Sequence, residues 1–454
     1  MLEAVRRELL KRGYRVNEEA YGVIGECDDW YRAKETAMHH RVTVGGAHYD
    51  LVRMGFGRRI AKDEANLCEV MEINPGREAF DFLQQVLRDN RFDSQYRKQL
   101  ELVAAEGTAA CFVRMEGAEE FDDGSLRGGR IALTYVDAGG YAPLTVVNDE
   151  VIEAAFWGVD TIGTKEITSL VICTRSEEGI YSYAVRAFDG DGREIGERAQ
   201  DIELGPVKPF AVLRTADVNA IEGMAGFGYP KLHGVIPILA GLDAAYTALM
   251  GDIDTAEKIT LINEQLCKFD GLGNPIAPNE QMKRRFVMLG EKLPEQSELV
   301  HEIVPAVRVE EFREVIELLL SMLSRQFGFG SRKYTMDAGG DLVTATQYIG
   351  ERHDMMQELN RQRFEAREYI CGIVHAVIWF ANRFIGTDFA ENGEVQIEFD
   401  DSYITNRGEL MAEMRKDVLD GIGGEYVRRE YLKQRYNLTD DEAALWAAER
   451  MDAE

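Results

Sequence analysis

Cysteine is scarce and scattered in this chain. Its six residues, Cys27, Cys68, Cys111, Cys173, Cys267 and Cys371, include no Cys-x-x-Cys pair, which leaves zinc no obvious home and offers no secreted disulfide framework. Reduced, mostly buried thiols in a cytosol are expected. Long apolar runs are missing as well. Nothing approaches the ~18 uninterrupted apolar residues of a membrane span, and Met1-Leu2-Glu3-Ala4-Val5-Arg6-Arg7-Glu8 has no signal-peptide core. A soluble, unsecreted protein is expected. Cations are also short: 52 Lys and Arg face 80 Asp and Glu, a formal charge of −28. That balance opposes a protein that must grip nucleic acid through its phosphates.

Signatures of catalysis are equally sparse. Gly55-Phe56-Gly57-Arg58-Arg59-Ile60 breaks the dinucleotide fingerprint at its third glycine, and Gly328-Phe329-Gly330-Ser331-Arg332-Lys333 has neither the spacing of a phosphate loop nor its Lys-Ser/Thr pair. No Gly-x-Ser-x-Gly elbow or His-Glu-x-x-His occurs. Asp122-Asp123 and Asp400-Asp401 read as solvated turns, because neighbours on a turn diverge and no histidine accompanies them. His39-His40 with His48 lacks a matched carboxylate or thiolate spacing. His353 and His375 lie far apart on one helix, and His375 sits among apolar groups, where a packed histidine is expected. No catalytic residue, metal or cofactor is expected.

What the chain does have is helix. Its 454 residues, 45% of them apolar, can bury one large core or two to three smaller ones. A first helix opens at Pro237, where a missing N–H costs nothing, and repeats Ile238, Leu239, Leu242, Ala245, Tyr246, Leu249, Met250 and Ile253. A second follows Pro305, with Glu310 and Glu311 at its positive end and Phe312, Val315, Ile316, Leu319, Leu320 and Leu323 on its stripe. Each runs about 20 residues, roughly 30 Å, so the two match in length. Such paired rods suit either a helical hairpin in a monomer or the wall of a ring of many copies. Between them, turns at Gly271, Gly273, Pro275 and Pro278 precede two strands, Arg285 to Leu289 and Leu299 to Val304, a pair too small to stand alone. After Phe327 a glycine-rich loop reaches Ala338-Gly339-Gly340-Asp341, and one long helix then runs from Val343 to Ile385, burying Ile370, Ile373, Val374, Val377, Ile378 and Phe384. From Ile131 to Leu213, short β-branched or aromatic runs and turns such as Asp189-Gly190-Asp191-Gly192 predict antiparallel sheet. At the far end, Glu425 to Tyr436 reads as a helix and Thr439-Asp440-Asp441-Glu442 as a capping box.

These residues resemble the portal, or head-to-tail connector, proteins of tailed bacteriophages, particularly long-tailed ones. The resemblance covers most of the chain and is most specific from Phe269 to Ile385. There Val300-His301-Glu302-Ile303-Val304-Pro305, Phe327-Gly328-Phe329-Gly330 and Asp341-Leu342-Val343-Thr344-Ala345-Thr346 occur in the family's order. It extends more loosely to Trp30 and Tyr31, Asn66-Leu67-Cys68, Glu106-Gly107-Thr108-Ala109-Ala110 with Phe112, Tyr135-Val136-Asp137, Pro143-Leu144, Asn148-Asp149-Glu150 and the strand from Ala154 to Trp157. The resemblance implies an α+β fold with the following parts: a mixed wing over 1–230, a stem of helices 231–257 and 305–327, a small α/β clip over 258–304, a tunnel loop over 328–342, a wing spine helix and strand over 343–400, and a helical crown over 401–454.

It also implies a homo-oligomeric ring, usually of twelve subunits, at one capsid vertex of the virion, assembled in the host cytoplasm without a membrane. Double-stranded DNA would pass through the ring without sequence specificity during packaging and ejection. Terminase, the packaging motor, would supply ATP hydrolysis, and head-completion or adaptor, major capsid and scaffolding proteins would be further partners. An acidic lining lets DNA slide, while a few cations at the narrowest ring steady the duplex. Arg332 and Lys333, with Tyr334, are the channel candidates in the tunnel loop, and Lys283, Arg284 and Arg285 the docking candidates in the clip. Two rivals stand beside this reading: a monomeric soluble enzyme with the glycine-rich loop as a lid, and a scaffolding or adaptor protein that makes no ring.

Overall fold

The computed structural model of the protein describes all but residues 1–2, 43–45, 47, 118, 121–125, 128, 197–198, 257–258, 264–267, 270, 273–274, 277–285, 290–299, 304–305, 331–332, 335–344, 392, 401–406, 421–423, 437, 439 and 450–454. Helices come first: α1 (Glu3–Lys11), α2 (Glu18–Tyr31), α3 (Phe56–Ala65), α4 (Phe80–Asp89) and α5 (Phe92–Glu106). Strands β1 (His40–Val42) and β2 (His48–Asp50) form a hairpin between α2 and α3, and β3 (Val70–Asn74) follows α3. Asn17 starts α2 by accepting the Glu19 N–H at 3.0 Å, the capping role its short polar side chain suits. Gly107 ends α5 with φ +85°, and a β-carbon there would lie 2.4 Å from the Gly228 carbonyl oxygen. Only glycine fits both demands.

Alternation of apolar and polar residues then produces antiparallel sheet, as expected from Ile131 to Leu213. Strand β4 (Thr108–Glu116) pairs antiparallel with β7 (Arg130–Asp137), the short β5 (Glu119–Glu120) and β6 (Leu126–Arg127) pair with each other, and β13 (Phe210–Arg214) joins the larger sheet in the order β13-β4-β7. The meander β8 (Tyr141–Val147), β9 (Glu150–Ile162), β10 (Lys165–Arg175), β11 (Tyr181–Phe188) and β12 (Gln200–Glu203) forms a five-stranded sheet. Asn148 and Asp149, both at positive φ, turn β8 into β9. The Asp189 carboxylate accepts the Asp191 and Arg193 N–H groups at 3.0 and 2.8 Å and closes the turn after β11.

The main core joins α2 to α5, the three-stranded sheet and the inner face of the five-stranded one to three later helices: α6 (Lys231–Thr255), α7 (Val309–Gln326) and α8 (Ala345–Phe380). A smaller core holds α1 against the sheet's outer face. In α8, Ile370, Ile373, Val374, Val377 and Ile378 are buried. That helix ends at Phe380 and passes into a π turn, Ala381–Ile385, instead of continuing as α to Ile385. Cys27, Cys68, Cys111 and Cys173 are buried free thiols, Cys371 is half-buried, and Cys267 lies outside the described residues.

Three expectations need correction. The first rod begins at Lys231, not Pro237, which lies inside α6. An interior proline costs about 3 kcal/mol, but Pro237 is exposed while Val235, Ile236 and Leu239 beside it are buried. At roughly 1.5–3 kcal/mol each, their burial outweighs that loss. The rods are also unequal, 25 residues against 18. Finally, the insert is not a strand pair. Strand β14 (Ile259–Asn263) lies between β17 (Phe286–Leu289), which runs parallel to it, and β18 (Val300–Ile303), which runs antiparallel, with a small ladder of β15 (Lys268–Phe269) and β16 (Pro275–Ile276) nearby in sequence. By length and composition, α6 is apolar enough to cross a membrane, and a third of its most apolar window is buried.

Beyond α8, β19 (Gln396–Phe399) pairs with β3, and α9 (Arg407–Leu419), α10 (Gly424–Tyr436) and α11 (Asp440–Glu449) follow. The expected helix from Glu425 is α10. Thr439 of the expected capping box is outside the described residues.

Candidate functional site

Helices α6 and α7 are antiparallel neighbours. Arg308, just before α7, donates two hydrogen bonds of 2.8 Å to the Asp252 carboxylate near the end of α6, and Gly241 faces Leu319 midway along the pair. The bonds from Arg308 hold the Asp252 carboxyl below its usual range. The inner halves belong to the subunit's own core: Leu232, Val235, Ile236, Leu239 and Leu242 of α6 are buried, as are Ile316, Leu320 and Leu323 of α7. The rods therefore fold onto their own chain over about half their length. Their outer surface differs. Val315, Leu318 and Met322, at i, i+3 and i+7 on α7, are 47, 62 and 48% exposed, and Glu311 and Glu314 flank them. An apolar stripe of α7 thus lies open to solvent.

The loop after α7 is tied to the core at its start. Tyr334 donates to Asp63 Oδ2 at 2.8 Å, and its ring meets Phe56 and Phe329 edge-on at 6.3 and 6.4 Å. Asp63 also accepts from Arg59 Nε at 3.0 Å. Burial, then the bond and charge of Asp63, push the Tyr334 phenol well above its usual value. Tyr334, expected in a channel, is held inward, because a buried carboxylate within reach offers its hydroxyl a better place than solvent. Half-buried Lys333 sets its ammonium 5.6 Å from the Phe329 ring centre. Arg332, Lys283, Arg284 and Arg285 lie outside the described residues.

Beside this anchor sits a buried ion cluster. Lys231 is 6% exposed, and its ammonium lies 2.6 Å from Glu64, 2.7 Å from Glu358 and 3.8 Å from Asp217. Burial opposes its charge, but Glu64 and Glu358 outweigh that and hold its pKa above the usual lysine value. The cluster fastens α3, α6 and α8 to one another where the loop leaves α7. At that exit Gly328 has φ +72°, and a β-carbon would press to 3.2 Å from Glu358. Sequence reading missed these residues because Glu64, Lys231 and Glu358 share no local spacing.

The histidines separate. His39 is buried; its Nδ1 accepts the Thr36 N–H at 3.1 Å, so Nε2 carries the proton and donates to Asp243 of α6 at 3.2 Å. Asp243 Oδ1 accepts the Met54 N–H and Thr247 Oγ1 accepts the Val52 N–H, each at 2.8 Å. This strap clamps the β1–β2 arm to α6. His40 is exposed with Glu35 and Asp50, the carboxylates that sequence spacing did not supply. Asp50 lies 2.8 Å from Nδ1 and Glu35 3.8 Å from Nε2. One ligand atom from each of the three lies within 4.8 Å of the others, but all three are exposed and two are carboxylates paired with the same imidazole, and we read the group as a surface ion-pair trio. A cleft of about 590 Å³ between the two sheets is walled by Phe112, Tyr135, Phe156, Tyr183 and Phe384. Burial keeps its phenols protonated, and Asp160 is the one carboxylate in its lining among the described residues.

The fold and these sites define a class: an α+β protein with a large buried core, an antiparallel helix pair interrupted by a small sheet, and a loop pinned to that core. No family model and no curated protein matches the chain. Among solved structures it is similar to a chain of one described as "Neck of native GTA particle computed with C12 symmetry", at 13% identity and a TM-score of 0.42, over 81% of this chain and 90% of that one.

Proposed function

We propose that this chain is the repeating unit of a ring in a phage-type particle, a structural protein that forms the channel for double-stranded DNA at one capsid vertex and docks the packaging motor and head-completion proteins. In this reading the main core and α8 are the wing, α6 and α7 the stem, the β14–β17–β18 sheet the clip and α9 to α11 the crown. The observation that carries it is the open stripe of Val315, Leu318 and Met322. Contiguous exposed apolar surface on so acidic a chain marks an interaction face, and a stripe running along a helix suits side-by-side packing with sibling helices. Tyr334 is an anchor, and the cations before it, Arg332 and Lys333, reach the duplex. Twelve copies would carry about −340 charges, so counter-ions govern assembly. Sedimentation of the purified protein across salt concentrations tests this: a large assembly whose stability changes with ionic strength supports the ring, and a single chain at every salt and protein concentration refutes it.

A further inference from the structure

Helix α1 is a basic element on an acidic chain. Over residues 1–15 five cations, Arg6, Arg7, Lys11, Arg12 and Arg15, face two carboxylates, Glu3 and Glu8, a net of +3 where the whole chain carries −28. The helix buries Ala4, Val5 and Leu9 against the outer face of the five-stranded sheet. Outward it turns Leu10, 59% exposed, with exposed Arg6 and Arg7 one turn before it and exposed Lys11 next in sequence. Arg6 pairs with Glu18 at 2.7 Å and Lys11 with Glu8 at 3.2 Å. Arg7 has no ion pair among the described residues.

Strands β3 and β19 present the opposite sign. Glu72 stands directly across from Glu398 in the antiparallel pair, both exposed, and exposed Glu394 lies two residues before β19, whose outer face carries Gln396 and Glu398. None of the three glutamates has an ion-pair partner among the described residues, and like charges directly opposite destabilise a strand pair. Where the register shifts at Glu398/Phe399, β3 has one residue more than β19. That extra residue is Met71, 67% exposed next to exposed Glu72, so the bulge breaks alternation and turns an apolar side chain outward. One face is thus an apolar centre with a cationic rim, the other an apolar centre with an anionic rim.

We infer that α1 of one copy docks on the β3–β19 face of the next, with Leu10 against Met71 and Arg7 and Lys11 against Glu72 and Glu398. The two faces belong to different layers: α1 lies on the outer side of the five-stranded sheet, and β3 with β19 packs on the main core through Ile73 and Ile397. A contact between unlike patches is heterologous and closes into a ring when its rotation allows. The inference rests on the ring reading and adds which surfaces join. Duplex phosphates would also attract α1, but they offer nothing to Leu10 and leave the Glu72–Glu398 repulsion in place.

Charge reversal in the full chain tests it, with assembly followed by sedimentation over a range of protein concentration. Arg7→Glu and Glu398→Arg are each expected to raise the concentration at half-assembly by about tenfold or more, and together to restore it, since opposite charges face each other again. Single variants that assemble like the unaltered protein, or a double variant that fails to recover, overturn the inference and leave the ring reading standing. So does an Arg7→Glu variant that assembles normally but loses affinity for a duplex DNA fragment. An unaltered protein that stays a single chain throughout overturns both.

Discussion

Replacing Leu318 by glutamate separates a stripe that waits for a partner from one that merely decorates a monomer. Complete burial of a leucine, valine or methionine side chain is worth about 1.5–3 kcal/mol. With Leu318 62% exposed and Val315 and Met322 about half exposed, the three retain about 3–4 kcal/mol per interface that only a neighbouring chain can realise. Leu318→Ala forfeits about 1–2 kcal/mol of it, near tenfold in association. Leu318→Glu also buries an unpaired charge and abolishes assembly. In an isolated subunit the same glutamate points to water and changes unfolding free energy by no more than about 0.5 kcal/mol. Mass photometry of the assembly and denaturant unfolding of the dissociated chain measure the two numbers. Unchanged assembly with Leu318→Glu, or a destabilised lone subunit, would refute the reasoning.

Other substitutions probe the anchor and the core. Tyr334→Phe strands part of the hydrogen-bonding capacity of buried Asp63 and is expected to cost about 1–2 kcal/mol of stability in urea unfolding. Lys231→Met leaves buried Glu64 without its ion pair and Glu358 with only Arg361 at 3.9 Å, and is expected to cost about 3–5 kcal/mol, with protease cleavage near the loop as a second readout. Glu106 is 2% exposed, and burial, then the Asp137 charge, pushes its carboxyl well above the usual 4.5. A raised folded value favours the protonated form, so its contribution is intact below the unfolded value and falls as pH rises toward the folded one. Glu106→Gln is therefore expected to raise the melting temperature at pH 7 and above, with the gain shrinking toward pH 4.

The sequence announced helices more reliably than their ends and partners. Glu310 and Glu311 located the start of α7 because an acidic first turn and the apolar stripe agree locally. Pro237 hid the first six residues of α6, since an exposed interior proline looks the same in sequence as a first-turn one. Strand β14 escaped notice because Ile259-Thr260-Leu261-Ile262-Asn263 follows a long helix without turn residues before it, and its pairing with β17 and β18 is set in three dimensions. The Tyr334 hydrogen bond was not legible, because its acceptor, Asp63, is 271 residues away. The Lys231 cluster and the opposed Glu72 and Glu398 are likewise products of long-range packing. Of the open α7 stripe only Val315 was among the apolar positions read from the sequence; Leu318 and Met322 were not, because which residues stay open depends on where α6 lies.

An image reconstruction of the purified assembly tests the central claim most directly. Copies arranged around a bore, with Val315, Leu318 and Met322 of each against a helix of the next, is the predicted result. Particles of one chain, with that stripe in water and no neighbour along α7, would contradict it.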